Sequence, residues 1–150
     1  MKKIVRRKWA KDPSVLHRAM GALQPFVAHE LVALQTPGRM AWESLRTGMG
    51  TWDDFNTLAQ VVNVALVRAE DIDALAVDVA KRAQDALMAI RSRHARCGKW
   101  GVDHVAMQDL PVCLDLYEQI LELSTPRQMA QAMRNTLARM NAGHTLGVGA

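Results

Sequence analysis

Apolar residues return every three or four positions through most of this chain, and short clusters of helix-stopping residues separate the runs. Val15, Leu16, Ala19, Met20 and Leu23 form the first stripe. It follows Asp12-Pro13, which reads as an N-cap and a proline at the first helical position, where the missing N–H costs nothing. Gln24-Pro25 sets a boundary, because the residue before a proline is pushed out of the helical region. Phe26, Val27, Leu31 and Leu34 predict a second helix. Thr36-Pro37 repeats the start signal for a short third helix lined by Met40, Ala41 and Leu45, with Gly48 placed to close it in a left-handed cap.

Thr51-Trp-Asp-Asp54 has the form of a capping box with Asp in the place of Glu. Apolar residues recur from Phe55 through Leu58, Ala59, Val62, Ala65, Leu66 and Ala69. The same period continues through Ile72, Leu75, Ala76, Val79, Ala83, Leu87 and Ile90 with no Gly or Pro between. One helix over that whole run would span about 45 residues, far beyond the usual 8–20. The expectation is therefore a break near 69–72, with Asp71 as the new N-cap and Gly98 ending the second half. Asp103 starts a further helix through Leu110, Leu114, Tyr117 and Leu121. Pro111 lies inside that pattern and either kinks the helix or restarts it. Thr125-Pro-Arg-Gln128 opens a last helix along Met129, Met133, Leu137 and Met140, which ends at Gly143. No run alternates as a strand does. The expected fold is all-α: a single-domain bundle of about six or seven helices over residues 12–143, with a basic arm at 1–11 and a frayed, flexible tail at 144–150.

Composition agrees with a globular chain, at 49 % apolar and 23 % charged residues. The net charge of +4 conceals an uneven distribution. Residues 1–11 hold six Lys or Arg and no acid. Residues 12–122 hold ten Lys or Arg against all fifteen acids, and residues 123–150 hold Arg127, Arg134 and Arg139 with no acid. The positive charge thus belongs to the ends, around an acidic middle. No signal peptide and no apolar stretch of membrane-spanning length is evident, so a cytoplasmic protein without membrane contact is expected.

Two basic clusters are the candidate partner- or polyanion-binding residues. The arm offers Lys2, Lys3, Arg6, Arg7, Lys8 and Lys11, with Trp9 placed to stack on a base or a partner. The second cluster, in "RSRHARCGKW", offers Arg91, Arg93, Arg96 and Lys99. Cations there also complement a helix C-terminus, the plainer reading. Trp42, Trp52 and Trp100 are either core anchors or binding hot spots.

No metal or cofactor is expected. His94, Cys97, His104 and Cys113 are the nearest approach to a zinc set, but the second pair lies nine residues apart and Cys113 falls on an apolar stripe. No histidine has an evident Ser or Cys partner, and no catalytic residue is expected. A helix-turn-helix over residues 39–62 would present Asp53 and Asp54 to DNA, which repels it.

The segments "KKIVRRKW", "LRTGMGTWDDFNTLAQVVNVALVRAE" and "RSRHARCGKWGV" resemble short helical proteins of bacteriophages, prophages and plasmids of proteobacteria, a group with no assigned activity. The resemblance covers most of the chain but lacks the helix-ending Gly expected near position 70. It implies a mobile-element setting, in which small proteins modulate host or phage machinery. The function expected is a non-enzymatic interaction protein that binds and regulates, or inhibits, a host or phage protein. The alternative is a nucleic-acid-binding accessory protein whose arm, with Arg127, Arg134 and Arg139, contacts phosphates.

Overall fold

A computed structural model describes residues 21–143. The basic arm, nearly all of the expected first helix and the 144–150 tail lie outside the described residues. Five α-helices make up the described fold: α1 (Ala28–Arg46), α2 (Trp52–Ala69), α3 (Ala74–Cys97), α4 (His104–Leu123) and α5 (Pro126–Asn141). No strand occurs among the described residues. The all-α expectation holds.

Helix α2 is the centre, packing against each of the other four. Its middle explains why. Val61 to Val67 are all buried, so this stretch is covered on every side, which an amphipathic surface helix never is. Leu45 and Trp42 of α1, Leu87 and Ile90 of α3, Leu110, Leu114 and Leu121 of α4, and Met129 of α5 close around it. Three polar residues, Asn63, Ser124 and Thr136, are buried among the described residues. Asn63 is fully buried, and its Oδ1 accepts from Nε2 of Gln84 on α3 at 2.8 Å, which removes the cost of an unpaired amide.

Several expected boundaries are present. The Thr51–Asp54 capping box forms, with Asp54 N–H donating to Thr51 Oγ1 at 3.2 Å and the Asp54 carboxylate accepting the Thr51 N–H at 2.9 Å. The Thr125–Gln128 box forms in the same way at the start of α5. Gly48, Gly98 and Gly143 take φ of +80°, +67° and +75° just beyond three helices, a conformation that penalises a side chain. Asp103 caps α4 through the Ala106 N–H at 2.8 Å.

Two expectations need correction. The chain does not restart at Thr36-Pro37, and residues 28–46 form one helix with Pro37 inside it. Pro37 withholds a donor from the i−4 carbonyl, while the Thr36 hydroxyl adds a bond to the Val32 carbonyl at 2.6 Å. What keeps the helix continuous is packing. Gly38 is buried so closely that a Cβ there would meet Leu114 Cδ2 at 3.2 Å and Val61 Cγ2 at 3.3 Å. Ala41, Trp42 and Leu45 bury the next turns, whereas Met40, expected in the stripe, is 65 % exposed. One helix thus stands where two were expected, and the described residues hold five in all. The break after Ala69 is real, but Asp73 rather than Asp71 caps α3, accepting the Leu75 N–H at 3.3 Å. At Pro111, where a kink or a restart was open, α4 does not restart, and Leu110, Cys113 and Leu114 lie in the core on either side of it.

Ion pairs tie the periphery together. Arg39 on α1 reaches across to Glu118 at 2.7 Å and to Asp115, both on α4. Those two carboxylates, Glu118 foremost, raise the guanidinium pKa and hold it charged. Arg139 of α5 forks onto both oxygens of Glu70 at 2.7 and 2.6 Å, fastening α5 to the α2–α3 turn. Among the described residues no helix is long and apolar enough to cross a membrane.

Candidate functional site

The second basic cluster surrounds the C-terminal end of α3, where local signals build an unusually braced helix end. Gly98 turns the chain left-handed and donates its N–H to the His94 carbonyl at 2.7 Å. The turn that follows returns Trp100 onto the helix it has just left. The Trp100 and His94 rings stack with centroids 4.0 Å apart and planes 17° from parallel. The other face of Trp100 stacks on Phe55 at 5.4 Å and 20°. Trp52, aimed by the capping box before it, stands edge-on to Trp100 at 5.0 Å, to His94 at 5.1 Å and to Phe55 at 5.9 Å. These are the two geometries that the ring quadrupoles favour, each pair worth about 0.5–1.5 kcal/mol beyond its area.

Arg93 completes the brace. Its stem lies on Gly101, where a Cβ would meet Arg93 Cδ at 3.0 Å and the arginine stem would have to shift. Its guanidinium reaches the Asp103 carboxylate at 3.7 Å, and Asp103 in turn caps α4. Arg93 is therefore a clamp between α3 and α4. Arg91, Arg96 and Lys99 differ from it: they are exposed and form no ion pair with a described residue. Three full positive charges outweigh the roughly −0.5 elementary charge of the helix end. These cations sit at a helix end braced by the ring contacts and by the Arg93–Asp103 pair.

The other singled-out residues are dispersed. Trp42 is a core anchor at 4 % exposure. His94 lies among the rings, His104 is exposed beside Gln108, and Cys113 is fully buried. Burial pushes the Cys113 thiol up to about 12, which keeps it neutral, while Cys97 is exposed with its thiol donating to the Arg93 carbonyl at 2.9 Å. Among the described residues no group of three His, Cys, Asp or Glu side chains is placed to hold a metal ion. Arg134 donates to Gln131 at 2.7 Å and Arg139 is held by Glu70, so only Arg127 of the C-terminal trio has no side-chain partner among the described residues. Trp9 and the cations of the arm lie outside the described residues.

Sequence reasoning did not assemble the ring cluster. Trp52, Phe55, His94 and Trp100 lie up to 48 positions apart, and only the α2–α3 hairpin and the Gly98 turn bring them together. The one local signal was a tryptophan two positions beyond a helix-ending glycine. No family model matches the chain, and neither a curated protein nor a solved structure matches it.

Proposed function

We propose that this protein is a non-enzymatic interaction module that docks the cationic end of α3, together with the basic arm, on an acidic face of a host or phage protein and thereby regulates or inhibits it. The reading rests on one observation. Arg91, Arg96 and Lys99 stand exposed, with no ion pair to a described residue, at a helix end braced by the ring stack and the Arg93–Asp103 pair. Most other arginines of the described body are engaged: Arg39, Arg46, Arg68, Arg93 and Arg139 all face carboxylates. A braced cationic patch loses less side-chain and backbone entropy on binding than a floppy one, so more of its electrostatic attraction survives as affinity and on-rate. The resemblance to mobile-element proteins supports a regulatory setting of the same kind.

A compact acidic partner fits better than a long polyphosphate. The three cations are confined to the end of α3, and the rest of that helix and its entry carries exposed Asp71, Asp73, Asp78 and Asp85 against Lys81 and Arg82, so a nucleic-acid backbone finds no continuous basic track along it. The test is a tagged pull-down from host lysate after nuclease treatment, comparing the full chain with the Arg91→Glu/Arg96→Glu/Lys99→Glu variant. Expected is an acidic protein recovered from the nuclease-treated lysate at low salt and lost with the variant. Recovery that vanishes with nuclease, or is equal for the variant, overturns the reading. Loss with nuclease together with steep salt dependence of DNA or RNA binding would establish the nucleic-acid alternative.

A further inference from the structure

An apolar groove of about 360 Å³ opens between α1, α2, α4 and α5. Val61 and Val64 of α2, Leu34 of α1 and Leu137 of α5 line it, and no Asp, Glu, Lys, Arg or His does. Its volume falls within the range of about 300–1,000 Å³ typical of small-molecule sites, which pair an apolar lining with a few placed polar groups. One such group is present. Tyr117 of α4 lines the groove at only 5 % exposure, and its hydroxyl has no hydrogen-bond partner among the described residues. Burial raises its pKa, so the phenol keeps its proton and serves as a donor. The other polar side chains of the lining make no such demand. Thr136 Oγ1 donates to the Ala132 carbonyl at 2.7 Å, Thr57 is half-buried and Gln60 is exposed to water.

We propose that this groove binds a neutral, apolar small molecule that presents one hydrogen-bond acceptor, such as a carbonyl oxygen, to the Tyr117 hydroxyl. The apolar body follows from the valine and leucine lining, which gains by leaving water. Neutrality follows from the absence of any charged side chain there, since a charge carried into the groove stays unpaired. The acceptor follows from the phenol. Water reaches that hydroxyl while the groove is open, and a molecule that fills the groove shuts the water out. Unless the molecule supplies an acceptor in its place, a buried donor is left unsatisfied. No residue of α3 lines the groove, so this site is separate from the cationic helix end and stands without it.

Prodan, an uncharged naphthalene with one ketone whose emission shifts to the blue on leaving water, tests this by titration against the full chain. Expected is saturable binding of one dye per chain with blue-shifted emission. Leu137 is 58 % exposed, so Leu137→Glu leaves the core intact while bringing a carboxylate to the groove, and it should abolish binding. Leu75→Glu, at an exposed position of α3, should leave binding unchanged. Tyr117→Phe removes only the hydroxyl and should weaken prodan about three- to tenfold. The same change should not lower the urea midpoint, because the lost group has no partner in the free protein. The parent ring without the ketone, 2-dimethylaminonaphthalene, should bind the Tyr117→Phe variant and the unaltered chain alike, which separates a lost hydrogen bond from a change of shape. Absence of saturable binding would show that another part of the chain fills the groove. A dimer in sedimentation equilibrium that excludes the dye would show that a second copy does, and either result overturns the proposal. Binding that survives Leu137→Glu, or prodan affinity unchanged by Tyr117→Phe, overturns it as well.

Discussion

Cys113 and Cys97 carry the same side chain into opposite chemistry. The thiolate is the reactive form, and Cys113, wholly enclosed, has its thiol pushed up to about 12 by desolvation. Cys97 stands in the open at the end of α3. Titration of the native protein with a thiol reagent near neutral pH is expected to count one reactive cysteine per chain, and two after denaturation. A fast count of two in the native state would contradict the packing around α4. The sequence placed Cys113 on an apolar stripe and so foretold its burial. Nothing local separated Arg93 from Arg91 and Arg96, because its partner Asp103 lies ten positions on, across a turn whose path depends on Gly98 and Gly101. Gly38 is the converse case. It reads as a helix-weakening residue in the sequence, yet it packs directly against Val61 of α2 and Leu114 of α4. Gly38→Leu is expected to lower the unfolding free energy by about 1–3 kcal/mol through overpacking, measured by urea denaturation. An unchanged or raised midpoint would mean that Leu114 and Val61 have room to yield.

Helix ends in this chain are written locally and helix interiors are not. A capping box needs only residues three apart, which is why Thr51–Asp54, Thr125–Gln128 and the caps before α3 and α4 could be foreseen, one of them two residues out of place. The Asp73 cap illustrates the limit: Asp71 and Asp73 offer the same side chain, and the choice depends on how far α2 runs before its burial ends at Ala69. Continuity through Pro37 was not legible, and at Pro111 the sequence left a kinked helix and a restart open, because the deciding residues are the core partners of the turns on either side. At this scale Thr51→Ala is the informative change. Loss of the reciprocal cap is expected to cost about 0.5–2 kcal/mol. Trp52, the first residue of α2, anchors the ring cluster, so the near-UV signal of the stacked tryptophans should weaken at denaturant concentrations where the far-UV helix signal is still intact. If both signals persist together to the same midpoint as the parent, the cap does not position Trp52.

At the scale of the bundle, two arginines close the periphery around α2 through three long-range ion pairs: Arg39 joins α1 to α4, and Arg139 joins α5 to the α2–α3 turn. The Arg139 guanidinium, chiefly by hydrogen bonding, holds the Glu70 carboxyl below its ordinary value of 4.5. A folded-state pKa below the unfolded one means that the unfolded chain takes up its proton first. The pair's contribution is thus complete above about pH 5 and fades as the pH falls through the depressed value. Both side chains are over a third exposed, so that contribution is small, up to about 1 kcal/mol, and is screened by salt. Glu70→Gln should narrow its deficit against the parent between pH 7 and pH 3 in a urea series. A deficit that widens as the pH falls would mean that Glu70 is not held ionised by Arg139. What the amino-acid order determined by itself was the helical class, the stops and starts, and the concentration of positive charge outside an acidic middle, since each depends on neighbours within a turn or on simple counting. What only the tertiary structure decided was the uninterrupted α1, the stack of Trp52, Phe55, His94 and Trp100, the identity of the cations left unpaired and the apolar groove. Those depend on residues tens of positions apart meeting in a packed core, where burial on one helix sets the conformation and the charge state of another.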